Sequence, residues 1–113
     1  MPRARRLSGA ADFDAARRGD LRSRDPFFNV TASRHPGSGR IGIAVSRRVS
    51  PKAVARNRIK RLIRESFRTQ QGMLQGLNIV VVAQPPAARA NNAALTRSLR
   101  SHWRQLLLQC NDS

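Results

Sequence analysis

The chain has 113 residues, enough for one domain around one modest core. Its 22 basic residues against 6 acidic ones give a formal charge of +16, which disfavours cationic partners and points to a polyanion, either nucleic acid or an acidic membrane surface. A lone cysteine, Cys110, rules out an internal disulfide framework or a thiolate metal site, and no apolar run approaches the roughly 20 residues that span a bilayer.

The charge is unevenly spread. From Pro26 to Asn111 the only acid is Glu65, set against fifteen Arg and Lys. Lys52 and Lys60 are the only lysines. Guanidinium forks bind phosphate bidentately and stack on bases, so an arginine-rich chain suits RNA, although genome composition alone also favours Arg over Lys. The start, Met1 to Leu7, is basic but leads to no apolar segment, so it reads as a flexible arm over residues 1–6 and not as a secretory signal.

Ser8 can cap a short helix to about Arg18, with Phe13 as its main apolar anchor and Gly19-Asp20 as its end. Asp25-Pro26 opens a strand in which Phe28, Val30 and Ala32 share one face while Phe27, Asn29 and Thr31 take the other. A further short strand fits between Arg18 and Phe27. The turn-rich stretch from Arg34 to Gly39 predicts that the next strand returns as a hairpin. That strand alternates: Ile41, Ile43 and Val45 face the core, and Gly42, Ala44 and Ser46 leave the other face low and open. Ser50-Pro51 predicts a capped helix start with proline in the first turn, and the helix runs to about Gln70. Its buried stripe is Ile59, Leu62, Ile63 and Phe67. After the break at Gly72 to Gly76, Asn78 to Ala83 is apolar without alternation, as an interior strand buried on both faces would be. Pro85-Pro86 ends it. Asn92 can cap a last helix with Leu95, Leu99, Trp103, Leu106 and Leu107 on one side, and residues 109–113 read as a flexible tail. The expected fold is α+β, a two-layer sandwich over residues 1–113 in the order α-β-β-(β)-α-β-α, with the basic helix in a parallel crossover between strands.

That helix carries the functional signal. Arg56, Arg58, Lys60, Arg61, Arg64 and Arg68 share it with one acid, Glu65. Residues three and four apart are neighbours, so Arg56, Lys60 and Arg64 form one ladder and Asn57, Arg61, Arg64 and Arg68 another, close enough to follow successive phosphates. Asn57 can donate and accept at a base edge, a sugar hydroxyl or a hydrated metal ion. Glu65, four residues after Arg61, is expected to steady that arginine. Arg47, Arg48 and Lys52 extend the cationic set towards the preceding strand. A solvated basic face is the plainer reading, but soluble surfaces normally mix both signs.

The string Arg56-Asn57-Arg58-Ile59-Lys60-Arg61-Leu62-Ile63-Arg64-Glu65 resembles the "RNR" helix of the bacterial ribonuclease P protein component. Arg40 to Arg48 is similar to the strand and basic pair before that helix, and Asp12-Phe13, Asn78 to Ala83 and Leu95 to Trp103 resemble flanking elements. The likeness spans roughly residues 5 to 108. It implies a protein subunit that binds ribonuclease P RNA and the 5′ leader of precursor tRNA, in a cleft bordered by the sheet and the basic helix. Phe13, Arg17, Phe27 and Ser46 are the leader-cleft candidates. Arg17 stands where the family often has a second aromatic residue, and Arg47-Arg48 replaces a pair that is usually lysine-rich. The resemblance also implies Mg²⁺ at an active site made of RNA, a monomer in a 1:1 ribonucleoprotein, and a cytoplasmic location without membrane attachment.

The residues themselves offer no catalytic set and no metal site. Two-metal nucleases need clustered carboxylates, and the basic region has only Glu65. Asp12 and Asp14 fall on different helix faces, and His35 and His102 lie in a turn and on the last helix, with nothing to pair them as acid and base. Three other readings remain at this level, the weakest being a membrane-active basic helix, against which the core-sized apolar stripe of that helix counts. A ribosomal or RNA-chaperone protein has the same composition but not the Arg56 to Glu65 string. A duplex-DNA reader would place the basic helix in the major groove, against which the strand–helix order and the missing helix-turn-helix pair both count.

Overall fold

The structure, a computed structural model, describes residues 21–34, 37 and 39–111. The expected helix over residues 8–18, with Phe13 and Arg17, and the arm over residues 1–6 lie outside the described residues. Among the described residues, four strands form one sheet: β1 (Leu21–Arg24), β2 (Phe28–Arg34), β3 (Arg40–Ala44) and β4 (Leu77–Ala83), in the order β1-β2-β4-β3. Two helices, α1 (Ala53–Gln70) and α2 (Asn92–Asn111), pack on one face, and a 3₁₀ turn covers Pro85–Arg89. The short strand expected before Phe27 is β1.

β1 and β2 form an antiparallel hairpin with Leu21 opposite Ala32 and Arg24 opposite Asn29. Its turn is built by Asp25, whose Oδ1 accepts the backbone N–H groups of Phe27 and Phe28 at 2.9 and 2.8 Å. This is an Asx turn, with Pro26 fixing φ at the bend. Side-chain alternation then sends Phe28, Val30 and Ala32 into the core, each at most 1% exposed.

β2 and β3 do not pair as a hairpin. β4 lies between them, antiparallel to β2 with Val30 opposite Val81, and parallel to β3 with Ile41 opposite Ile79. Turn signals over Arg34 to Gly39 report a chain reversal but not which strand fills the adjacent slot. The uninterrupted apolar run of β4 suits that central slot, where both faces are covered. The β3–α1–β4 unit is therefore the parallel crossover that the sequence predicts. Gly39 lets β3 begin against the turn after α1: a Cβ there would stand 2.5 Å from the Leu74 carbonyl oxygen.

The core lies between the sheet and the helices. Ile59, Ile63 and Phe67 of α1 and Leu95, Leu99, Trp103 and Leu106 of α2 are buried in it. The Trp103 indole N–H donates to Ser66 Oγ at 2.8 Å, and its ring meets Phe67 edge-on at 6.4 Å.

Helix starts differ from the sequence reading. α1 begins at Ala53 with Lys52 as its N-cap. Ser50 is buried one turn earlier, its Oγ accepting the Lys52 N–H at 3.2 Å and its carbonyl accepting Arg56 Nη1 at 3.0 Å. At α2, Asn91 is the capping residue, its Oδ1 accepting the Ala94 N–H at 2.8 Å. Asn92 instead accepts Arg58 Nη1 at 2.6 Å. The tail expected from residue 109 is helical to Asn111. Gln109 is pinned to β1, its Oε1 accepting the Arg22 N–H at 2.9 Å and its Nε2 donating to the Arg22 carbonyl at 2.6 Å.

Candidate nucleic-acid interface

The cations singled out in the sequence separate into two groups. Arg47, Arg48 and Lys52, in the loop between β3 and α1, are exposed, as are Asn57, Arg61 and Arg64 along one stripe of α1. Glu65, the one acid on α1, is paired with Arg68, so these exposed guanidinium groups are left as a surface for phosphates. Ser46 is exposed at the head of the loop, its Oγ accepting the Arg48 N–H at 3.3 Å. The ladder of Asn57, Arg61 and Arg64 spans roughly 10 Å along the helix axis.

The second group is tied to the protein. Arg56 bonds the Ser50 carbonyl. Arg58 bridges to the start of α2, through Asn92 Oδ1 at 2.6 Å and the Ala90 carbonyl at 3.3 Å. Arg68 makes a two-point pair with Glu65, Nε to Oε2 at 3.1 Å and Nη2 to Oε1 at 2.5 Å. Glu65 thus holds Arg68, three residues on, and not Arg61. Arg68's hydrogen bonds also hold the Glu65 carboxyl below its ordinary pKa. Lys60 is half-buried on the flank of α1.

The sheet face turned away from the helices has a closed centre. Val80 is 0% exposed and Gly42 is buried, so the low, open floor expected there is not open across its middle. Towards β1 it opens into a groove of about 210 Å³ lined by Arg22, Arg24, Asn29, Thr31 and Val82, with Ser23 and Val30. Arg22 and Arg24 are exposed, and β-strand alternation places them beside Asn29 and Thr31. The sequence reading missed both arginines because the strand that carries them is four residues long. The signal was present in Leu21-Arg22-Ser23-Arg24, where charge alternates with residues that face the core. Phe27, also expected in the cleft, sits at the hairpin turn, half-buried against the margin of the core. Phe13 and Arg17 lie outside the described residues.

One constellation has the residue types of acid–base machinery. Ser23 Oγ lies 2.6 Å from His102 Nδ1, His102 Nε2 lies 3.1 Å from Asp25 Oδ2 but out of line for a hydrogen bond, and Ser98 Oγ donates to Asp25 Oδ2. Burial pushes the Asp25 carboxyl pKa up. Hydrogen bonds from Ser98 and the Phe28 and Phe27 amides, with the charge of His102, outweigh that and hold it below its ordinary value. His102 is 2% exposed beneath the hairpin, and the cluster braces β1 and its turn against α2. Among the described residues no three His, Cys, Asp or Glu converge on a metal position.

Similarity to known proteins agrees with this geometry. The ribonuclease P family model matches residues 1–107. The ribonuclease P protein component of Methylococcus capsulatus is 42% identical, the match covering all of this chain and 89% of that protein. That of Halorhodospira halophila is 38% identical over 91% of this chain and 86% of its own length. Among solved structures, the RNase P protein of Staphylococcus aureus superposes with a TM-score of 0.77 at 29% identity, covering 90% of this chain and 94% of that one. The Thermotoga maritima RNase P protein does so with a TM-score of 0.77 at 26% identity, covering 88% and 96%. With its α+β fold and its exposed arginine ladder, this chain belongs to the ribonuclease P protein family, the protein subunits of an RNA-containing endoribonuclease that processes the 5′ ends of tRNA.

Proposed function

We propose that the chain holds its RNA subunit with Arg47, Arg48, Lys52, Asn57, Arg61 and Arg64, and holds the single-stranded 5′ leader of precursor tRNA in the groove beside Arg22 and Arg24. The observation that carries this reading is the separation of two cationic surfaces. One lies along α1 and the loop before it, the other on the far face of the sheet, so two RNA segments can be held at once. In the groove, guanidinium groups stand beside the hydroxyl of Thr31 and the amide of Asn29, a set suited to phosphate and sugar contacts that are indifferent to base sequence.

Cleavage is assigned to the RNA, with its Mg²⁺ held there. Asp25 and Glu65, the acids among the described residues, are engaged with Ser98 and with Arg68, so these side chains do not fit a protein cradle for the ion. The protein's part is to neutralise phosphates and to favour a leader-bearing substrate over a mature product. A charge of +16 disfavours a second copy in the same complex, which supports one protein per RNA subunit. A reducing cytoplasm suits a chain with a single cysteine.

The test compares holoenzyme affinity for precursor tRNA with that for mature tRNA, using wild-type protein and Arg22→Ala/Arg24→Ala. The double variant is expected to lose about tenfold of the preference for the precursor, near 1.4 kcal/mol. An equal loss for both RNAs would assign the two arginines to general attraction and remove the leader from this groove.

A further inference from the structure

The outer side of α2 is a third cationic surface. Arg97, Arg100 and Arg104, at positions i, i+3 and i+7, are exposed along it. The twenty residues of α2 include no Asp or Glu, and none of these three arginines has a hydrogen-bond or ion-pair partner among the described residues. In a chain of this charge such a row alone would be background.

A second observation changes its meaning. Between the end of α1 and the second half of α2 lies a groove of about 320 Å³, lined by Gln70, Met73, Trp103, Leu107 and Leu108, with Arg100 and Arg104 on its rim. Met73 and Leu108 are 56% and 52% exposed, two of the three large hydrophobic side chains left in solvent among the described residues. An apolar slot thus opens beside unneutralised cations. It lies on the opposite side of the sheet from Arg22 and Arg24, and about 20 Å along α1 from Asn57.

We infer that this groove is a further RNA-binding site, in which one nucleobase of a single-stranded segment enters the slot while Arg97, Arg100 and Arg104 take the adjoining phosphates. A nucleotide combines a flat apolar ring with an anion, and the groove pairs an apolar wall with cations in the same way. Neighbouring arginines of the row are about 5–6 Å apart at Cβ, a spacing that lets each one engage its own phosphate. The Gln70 amide, with a donor and an acceptor, stands where a base edge can meet it. An acidic peptide is the weaker fit. Two exposed apolar residues fall far short of the roughly 800 Å² per partner of a protein interface, and the slot, at the small end of ligand cavities, holds a ring system and not a helix face. This inference does not rest on the leader groove.

Trp103 is the only tryptophan in the chain and lines the groove, so its fluorescence reports on the site. Titrating the full chain with a ten-nucleotide single-stranded RNA is expected to quench it, and inorganic polyphosphate of equal charge is not. Arg100→Ala/Arg104→Ala is expected to abolish the quench and to lower the salt slope of binding by about 1.4 or less. Alanine favours helix at these exposed positions, and a thermal melt checks that the variant is folded. Arg61→Ala/Arg64→Ala should lower the slope but keep the quench. In the holoenzyme, quenching by the RNA subunit alone assigns the strand to that subunit, and quenching only after precursor tRNA is added assigns it to the substrate. The inference is overturned by no quench with RNA, by an unchanged quench in Arg100→Ala/Arg104→Ala, by loss of the quench in both variants alike, or by a response to polyphosphate or an acidic peptide equal to that with RNA.

Discussion

Asp25 uses both carboxylate oxygens, Oδ1 to close the turn between β1 and β2 and Oδ2 to meet Ser98 and His102 of α2. Its pKa is lowered from the ordinary 3.8, so the ionised carboxylate is the form the fold favours. The stability it contributes is full above that ordinary value and is lost as the pH falls through the lower value of the folded state. Asp25→Asn is therefore expected to lower Tm at pH 7 and to flatten the decline of Tm below about pH 4, measured by circular dichroism. A variant as acid-sensitive as wild type would mean that Asp25 does not set the acid limb. Ser66 makes a second residue-scale case. Ser66→Ala leaves the buried Trp103 indole N–H without a partner, an expected cost of about 1–3 kcal/mol in denaturant unfolding, whereas Thr, which keeps the hydroxyl, should recover part of it. Neither contact was legible in the sequence, because each joins residues 37 or more positions apart. What the sequence does show is which way side chains face: Phe28, Val30 and Ala32 are buried where alternation places them.

At the scale of elements, the α1 stripe of Ile59, Leu62, Ile63 and Phe67 was readable because period 3.6 is a local property. The cationic side of the same helix was readable only as composition. Which cations are free depends on partners elsewhere in the chain: the Ser50 carbonyl takes Arg56, Asn92 and Ala90 take Arg58, and Glu65 takes Arg68. The sequence put the cap of α2 at Asn92, but Asn92 meets the demand of Arg58 for an acceptor and Asn91 caps the helix instead. A contrast between variants follows. Arg61→Ala/Arg64→Ala should reduce the salt slope of binding to the RNA subunit by about one unit or less per cation, with little change in Tm. Arg58→Ala should lower Tm by several degrees, having cut the link between α1 and α2, and should move the slope less. The reverse pattern would mean that Arg58 reaches RNA and that the exposed stripe is ordinary surface. The position of β4 between β2 and β3 was likewise half legible: its apolar run shows an interior strand, but pairing is a long-range choice that turn residues do not encode.

For the whole molecule, α1 with the loop before it, the sheet at β1 and the outer side of α2 each present a set of exposed cations around a core of modest size. A protein built this way can draw together RNA segments that would otherwise repel. The family was legible from ten residues of α1. The groove proposed for the leader was not, because Arg22 and Arg24 come together with Asn29 and Thr31 only when β1 pairs with β2. Whether the protein promotes cleavage by engaging the leader is read most directly from the rate at which a bacterial ribonuclease P RNA cleaves precursor tRNA at low Mg²⁺, with and without this protein, as the 5′ leader is shortened. Strong stimulation that fades as the leader is removed is expected. Stimulation independent of leader length, or none, would contradict leader engagement.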